Sequence, residues 1–205
     1  MNKLQRVILG ALLAAGVGPS FATEVIHADR DDMVTIYGEI TTKSANDTID
    51  QIHRANRGAS SGPIYMVINS PGGEMLAGAR IVDAMQASKR PIYTVDIGMA
   101  ASMAAWIHAY GTKRFMFPSA ILMFHNASMA ADMMTVNRLG SRYVMIQNIE
   151  VGFNTELTQR TGLPMSEILA RENDEWWDES AAAVTDHLVD EVILLDDFPT
   201  GDADE

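Results

Sequence analysis

Three apolar runs in this chain each end in a turn and pass into a helical pattern, and that alternation restricts the fold more than anything else in the sequence. "VTIYGEI" (34–40) is a β-branched, alternating strand, followed by a helix capped at Ser44, with Ile49 and Ile52 on one face and Gly58 closing it. "PIYMVIN" (63–69) is a continuous apolar run, as in a buried strand, and leads to a helix with Met75, Ala79, Val82 and Met85 along one side. "PIYTVDIG" (91–98) repeats the pattern and opens into "MAASMAAWI". Two short strands follow, "RFMF" and "AILMFH", separated by Pro118 and Ser119. From about Asp132 to Arg160 a long helix is predicted, its apolar positions being Met133, Val136, Tyr143, Ile146, Ile149, Phe153 and Leu157. Strand and helix alternating in this way predict one α/β domain with a mostly parallel sheet.

Composition narrows the function. A formal net charge of −12 argues against a nucleic-acid partner, which would be held through phosphate contacts. The absence of cysteine removes disulfides, thiol catalysis and thiolate-bound zinc together. At the N-terminus, Lys3 and Arg6 precede an apolar run from Val7 to Val17, and Ser20-Phe21-Ala22 ends in small residues. That layout predicts a secretory signal peptide over 1–22, cleaved after Ala22, since the run is short for a membrane span. A short segment (23–33), a single domain (34–195) and a solvated acidic tail (196–205) would then make up the rest.

The chemistry points to two of the strand-to-helix junctions. In "INSPGGEMLAG" (68–78) two glycines let a ligand approach the main chain and leave N–H groups that can face a developing oxyanion. In "DIGMAASMAAWI" (96–107) a lone hydroxyl, Ser102, sits among small apolar residues. It is either a stand-in for alanine in a tightly packed helix or a nucleophile at a helix start. Both junctions follow buried strands that would be neighbours, which puts them on the sheet edge where α/β folds bind ligands. A nucleophilic serine needs a base. His27 and His53 have polar surroundings, His108 is placed to face away within the Ser102 helix, and His187 lies among charges. His125, ending the strand "AILMF", is best placed to reach Ser102.

"INSPGG", "GMAASMAA" and "MFHNAS", in this order and spacing, resemble the proteolytic subunit of the Clp protease (ClpP) family. The similarity extends from about Val34 to Ile193 through "YGEI", "ANDTIDQI", "LTQRTGLPMSEI" and "SAAAVTDHLVDEV". It implies a ClpP/crotonase-like spiral of ββα units with a long projecting handle helix, and a serine peptidase assembled as two stacked heptameric rings around a chamber. Carried over residue by residue, it makes Ser102 the nucleophile, His125 the general base, and the N–H groups of Gly73 and Met103 the oxyanion hole. The family's acid falls on Glu175 in "RENDEWWDES", with Asp174 beside it as the alternative, and Trp176 and Trp177 are near enough to shelter either.

The expected function is therefore serine-type endopeptidase action on peptides or unfolded proteins, through an acyl-enzyme and without metal or cofactor. If the leader is used, the protein is periplasmic or secreted, and the ring ATPase that serves cytoplasmic relatives would be missing; a cytoplasmic location would restore it. Three rivals remain at this point. A crotonase-like acyl-CoA enzyme has no need of Ser102 with His125. A signal-peptide-peptidase-like serine–lysine dyad would draw on Lys43, Lys89 or Lys113, none at an obvious strand end. The third is a non-catalytic ring or membrane-associated scaffold that kept the fold and lost turnover.

Overall fold

A computed structural model describes residues 24–26, 28–128 and 135–195. The leader and the acidic tail expected from the sequence lie outside the described residues, as do His27 and Met133. A parallel sheet runs β1 (Glu24–Ile26), β8 (Glu191–Leu195), β5 (Lys113–Met116), β4 (Ile92–Ala101), β3 (Ile64–Ser70), β2 (Met33–Tyr37). Off this path, β6 (Ile121–Phe124) joins β4 in parallel, and β7 (Trp176–Glu179) joins β6 antiparallel. The α/β architecture with a mostly parallel sheet agrees with the strand–helix alternation.

Helices α1 (Thr42–Arg57), α2 (Met75–Gln86) and α3 (Met103–Ala109) follow β2, β3 and β4 in turn. Their apolar faces meet the sheet in one core that includes Ile36, Ile52, Met66, Ile68, Ile81, Met103 and Leu122. The other sheet face carries a smaller cluster of Val67, Val95, Phe115 and Ile193, so β3 and β4 are apolar on both sides and read as unbroken runs. The cap of α1 is Thr41, not Ser44. Thr41 Oγ1 accepts from the Ser44 N–H, and Ser44 Oγ accepts from the Thr41 N–H at 2.9 Å. Ser44 thus occupies the third helical position of a capping box, a place as favourable to serine as the cap itself.

The long helix exists as α4, Val136–Thr161, starting later than the periodicity suggested. Only Phe153, Asn154, Leu157 and Thr161 are buried on it, while Val136 is 84% and Tyr143 55% exposed. Ile146 and Ile149 are half-buried. Among the described residues nothing lies within 4 Å of a side chain added at Gly140 or Gly152, so neither glycine answers to a close contact there. After α4 the chain turns through Gly162 into α5 (Met165–Asn173), β7 and α6 (Ser180–Thr185).

Candidate active site

The site is built where β4 changes partners. Tyr93 to Asp96 pair with β5, whereas Met99 to Ala101 pair with β6. The exchange is possible because β4 slips against β3: Ile68 faces Asp96 but Ser70 faces Ala100. Asp96 is fully buried at this bend, and its Oδ1 accepts the Gly98 N–H at 3.1 Å. Burial pushes its carboxyl up to about 7.

One residue past β4, Ser102 adopts φ 55° and ψ −125°, a conformation that costs a non-glycine residue on the order of 1–3 kcal/mol. Its surroundings leave it little choice. The Ser102 N–H donates to the Met123 carbonyl at 2.7 Å, and its own carbonyl accepts from the N–H groups of Ala105 and Trp106 as α3 starts. Gly72 packs against this turn so closely that an added Cβ would come 2.6 Å from the Ala101 oxygen and 2.7 Å from Ser102 Cβ. Ser102 lines a pocket that it shares with His125. His125 stands one residue past β6, and Ala101 is in register with Met123, so the two strand ends arrive together. Ser102 Oγ lies 2.8 Å from His125 Nε2, within reach for proton transfer.

The second junction supplies donors. Gly73 has φ 149°, and a side chain there would fall 2.2 Å from the Ile40 carbonyl oxygen. Glu74 N–H takes that oxygen and Ile40 N–H takes the Gly72 oxygen, both at 2.8 Å. The Gly73 N–H is engaged by no acceptor among the described residues, and neither is the Met103 N–H at the first position of α3. Gly73, Ser102, Met103 and His125 line one pocket of about 190 Å³, along with Trp106, Phe153 and Glu150. A larger cavity, about 640 Å³, opens between α1 and the turn at 29–32, with no histidine among the described residues that line it.

A comparison with known families decides what kind of chain carries this arrangement: the Clp protease family matches residues 20–195. The chain belongs to the Clp protease family. Its fold is accordingly ClpP-like, and the family is one of peptidases that act on peptide or protein substrates and typically assemble into rings.

Set against the family's triad, the carboxylate is the outlying part. Glu175 has φ 59° and is exposed, and its Oε2 accepts from Trp177 Nε1 at 3.2 Å. Asp174 is exposed at the C-terminus of α5. Neither bonds to His125, whose one hydrogen-bond partner among the described residues is Ser102. Trp176 is buried in the core, while Trp177 stands outside with Glu175.

The remaining candidates separate clearly. His108 is fully buried, and burial drives its pKa down to about 3. His53 and His187 are exposed and away from this pocket. Lys43 pairs with Asp47 and Lys113 with Glu191; among the described residues no lysine lines the Ser102 pocket. No cluster of three or more metal-ligating side chains occurs among the described residues.

Two acids went unnoticed in the sequence. Glu150, on α4, accepts the Ala127 N–H just beyond His125 and lines the pocket. Glu172, on α5, is buried and accepts from Asn154 Nδ2 at 3.0 Å. Burial, opposed by that bond and aided by the charge of Glu150, raises its pKa to about 7. The available signal was position. Glu150 falls three residues before Phe153 and seven before Leu157, on the face that α4 buries.

Proposed function

We propose that this protein is a serine endopeptidase that cleaves peptides or unfolded chains through an acyl-enzyme on Ser102. The observation that carries the reading is the 2.8 Å approach of Ser102 Oγ to His125 Nε2 beside two unengaged N–H groups. Ser102 Oγ attacks the scissile carbonyl carbon while His125 Nε2 accepts its proton. The carbonyl oxygen, now negative, is held by the N–H groups of Gly73 and Met103. His125 then passes the proton to the leaving amine, and water attacks the ester by the same route in reverse. Glu175 is the acid that orients His125, in preference to Asp174. Phe124 pairs with Trp176 at the end of the β6–β7 ladder, so His125 and Glu175 are the residues that leave that end of the two strands. Its carboxylate reaches the imidazole by leaving Trp177.

The rest of the reading concerns assembly and place. The exposed apolar residues of α4 support a ring-forming homo-oligomer in which neighbouring helices cover one another, with the peptidase sites inside. Ile146→Asp is expected to split it, and sedimentation of the variant checks this. The leader at 1–22 supports export to the periplasm or beyond, without an ATPase partner. N-terminal sequencing of the native protein, expected to begin at Thr23, distinguishes this from a cytoplasmic enzyme.

A serine-directed fluorophosphonate tests the central claim. It is expected to label the protein, to fail on Ser102→Ala, and to react roughly a thousandfold more slowly with His125→Ala. One observation favours a second reading, a non-catalytic ring scaffold: Glu175 is turned toward Trp177. Absence of labelling in the assembled wild type decides for the scaffold.

A further inference from the structure

The pocket beside Ser102 has an uneven lining. Its walls are apolar, from Met75, Met103, Trp106 and Phe153, and Trp106 stacks on Phe153 with ring centres 5.3 Å apart. The ionisable groups beside His125 are two carboxylates, Glu74 and Glu150, and no lysine or arginine lines it among the described residues. Both carboxylates are held in place. Glu74 Oε2 accepts from Thr42 Oγ1 at 2.9 Å, and Glu150 Oε1 accepts the Ala127 N–H. Glu74 is exposed, at the mouth of the pocket, whereas Glu150 is half-buried on the face of α4 that packs inward.

We propose that this pocket selects a lysine or arginine side chain of the substrate, next to the bond that Ser102 cleaves, through the carboxylate of Glu150. The inference rests on the peptidase reading and adds its substrate class. A long cationic residue suits such a lining because its methylene stem packs on apolar walls while its head seeks a partner. Glu150 forms no ion pair with a cation among the described residues, and its second oxygen is left for a ligand. Partial burial weakens the screening that would make such a pair negligible in open water. The same charge turns acidic side chains away. At long range, a net charge of −12 on each chain draws basic substrates toward the molecule.

The test uses the full native protein and two peptidyl phosphonate diphenyl esters that differ only in the side chain next to phosphorus, lysine in one and norleucine in the other. Norleucine has lysine's four-carbon chain without the charge. The lysine probe is expected to label Ser102 at least about tenfold faster, as a charge-assisted bond implies. Glu150→Gln keeps an acceptor for the Ala127 N–H but loses the charge, and should bring the ratio close to one. Equal rates in the wild type, or a ratio unchanged in Glu150→Gln, overturn the proposal while leaving the peptidase reading intact. Failure of a plain fluorophosphonate to label Ser102 brings down both. Should Glu150→Gln not fold, the wild-type ratio is measured from about 0.05 M to about 0.5 M salt. A preference that persists at the higher salt supports pairing inside the pocket, and one that disappears reflects long-range attraction alone and refutes it.

Discussion

Ser102 and Glu175 are both non-glycine residues with positive φ, 55° and 59°, yet the molecule treats them very differently. Ser102 is enclosed. Its N–H is bonded to β6, its carbonyl caps α3, Gly72 presses on it, and its hydroxyl meets His125. Glu175 merely completes the end of α5. Its N–H donates to the Glu172 carbonyl at 3.3 Å, it occupies the place after the helix that glycine or asparagine usually takes, and its carboxylate faces outward to Trp177. Backbone strain at Ser102 is therefore fixed by many contacts at once, whereas at Glu175 it serves a turn whose side chain can move. One half of the proposed triad is built into the core and the other half is adjustable.

The sharpest way to break the comparison is to disturb the enclosed half. Gly72→Ala would set a methyl group against the Ala101 oxygen, Ser102 Cβ and the Met103 nitrogen, all under 3 Å, at a residue whose φ is +92°. Backbone cannot yield there as a flexible side chain could. We expect a loss of more than about 3 kcal/mol of stability and no fluorophosphonate labelling, checked by denaturant titration alongside the probe. Gly162 offers a control, because it also has positive φ (75°) but an added Cβ meets nothing within 4 Å among the described residues. Gly162→Ala should cost only about 1 kcal/mol and leave labelling in place. Equal penalties at the two glycines would show that close packing around Ser102 is not what matters.

At the adjustable half the expected effects are smaller. Glu175→Gln should lower kcat/KM by about ten- to a hundredfold, and Asp174→Asn by less, because Glu175 directly adjoins the β6–β7 pair that ends beside His125 and Asp174 lies one residue further off. Trp177→Phe removes the indole N–H that holds the Glu175 carboxylate and should raise kcat/KM by about fivefold, the worth of roughly 1 kcal/mol of competing hydrogen bond. A rise in Trp177→Phe that vanishes in the double variant with Glu175→Gln would tie the gain to this carboxylate. Reversal of the order between Asp174 and Glu175 would reassign the acid.

The difference between the halves also explains what could be read from the sequence. Ser102 and His125 were legible because each follows a buried strand, and parallel neighbours bring their C-terminal ends together whatever the details of the sheet. What the pattern could not show was that β4 has two partners in succession, since a slip of register at Asp96 leaves no mark in an apolar run. The burial of Asp96 is accordingly a property that the sequence does not display. The short strands β1, β7 and β8 and the helix α6 escaped because pairing with distant strands, not local periodicity, defines them. The orientation of Glu175 was beyond reach for a similar reason: a turn with positive φ at glutamate is imposed by the end of α5, against the residue's own preference.

A further effect, on stability and not on turnover, lies under the adjustable half, at the residue whose carbonyl receives the Glu175 N–H. Glu172 is 2% exposed, and its Oε1 has no hydrogen-bond partner among the described residues. With its pKa raised from 4.5 to about 7 by burial, the folded chain binds a proton there that the unfolded chain has already released. Stability from this group is therefore complete below about pH 4.5 and is lost as pH rises through 7. Glutamine keeps an acceptor for Asn154 and has no charge to bury. Glu172→Gln should thus gain on the wild type by roughly 1–2 kcal/mol between pH 5 and pH 8, or about 2–8 °C in Tm. Glu175→Gln, exposed and outside this bond, should show no such pH trend. Parallel Tm curves for Glu172→Gln and the wild type would mean that the foot of the Glu175 turn is not a buried acid, and that the turn is held by its backbone alone.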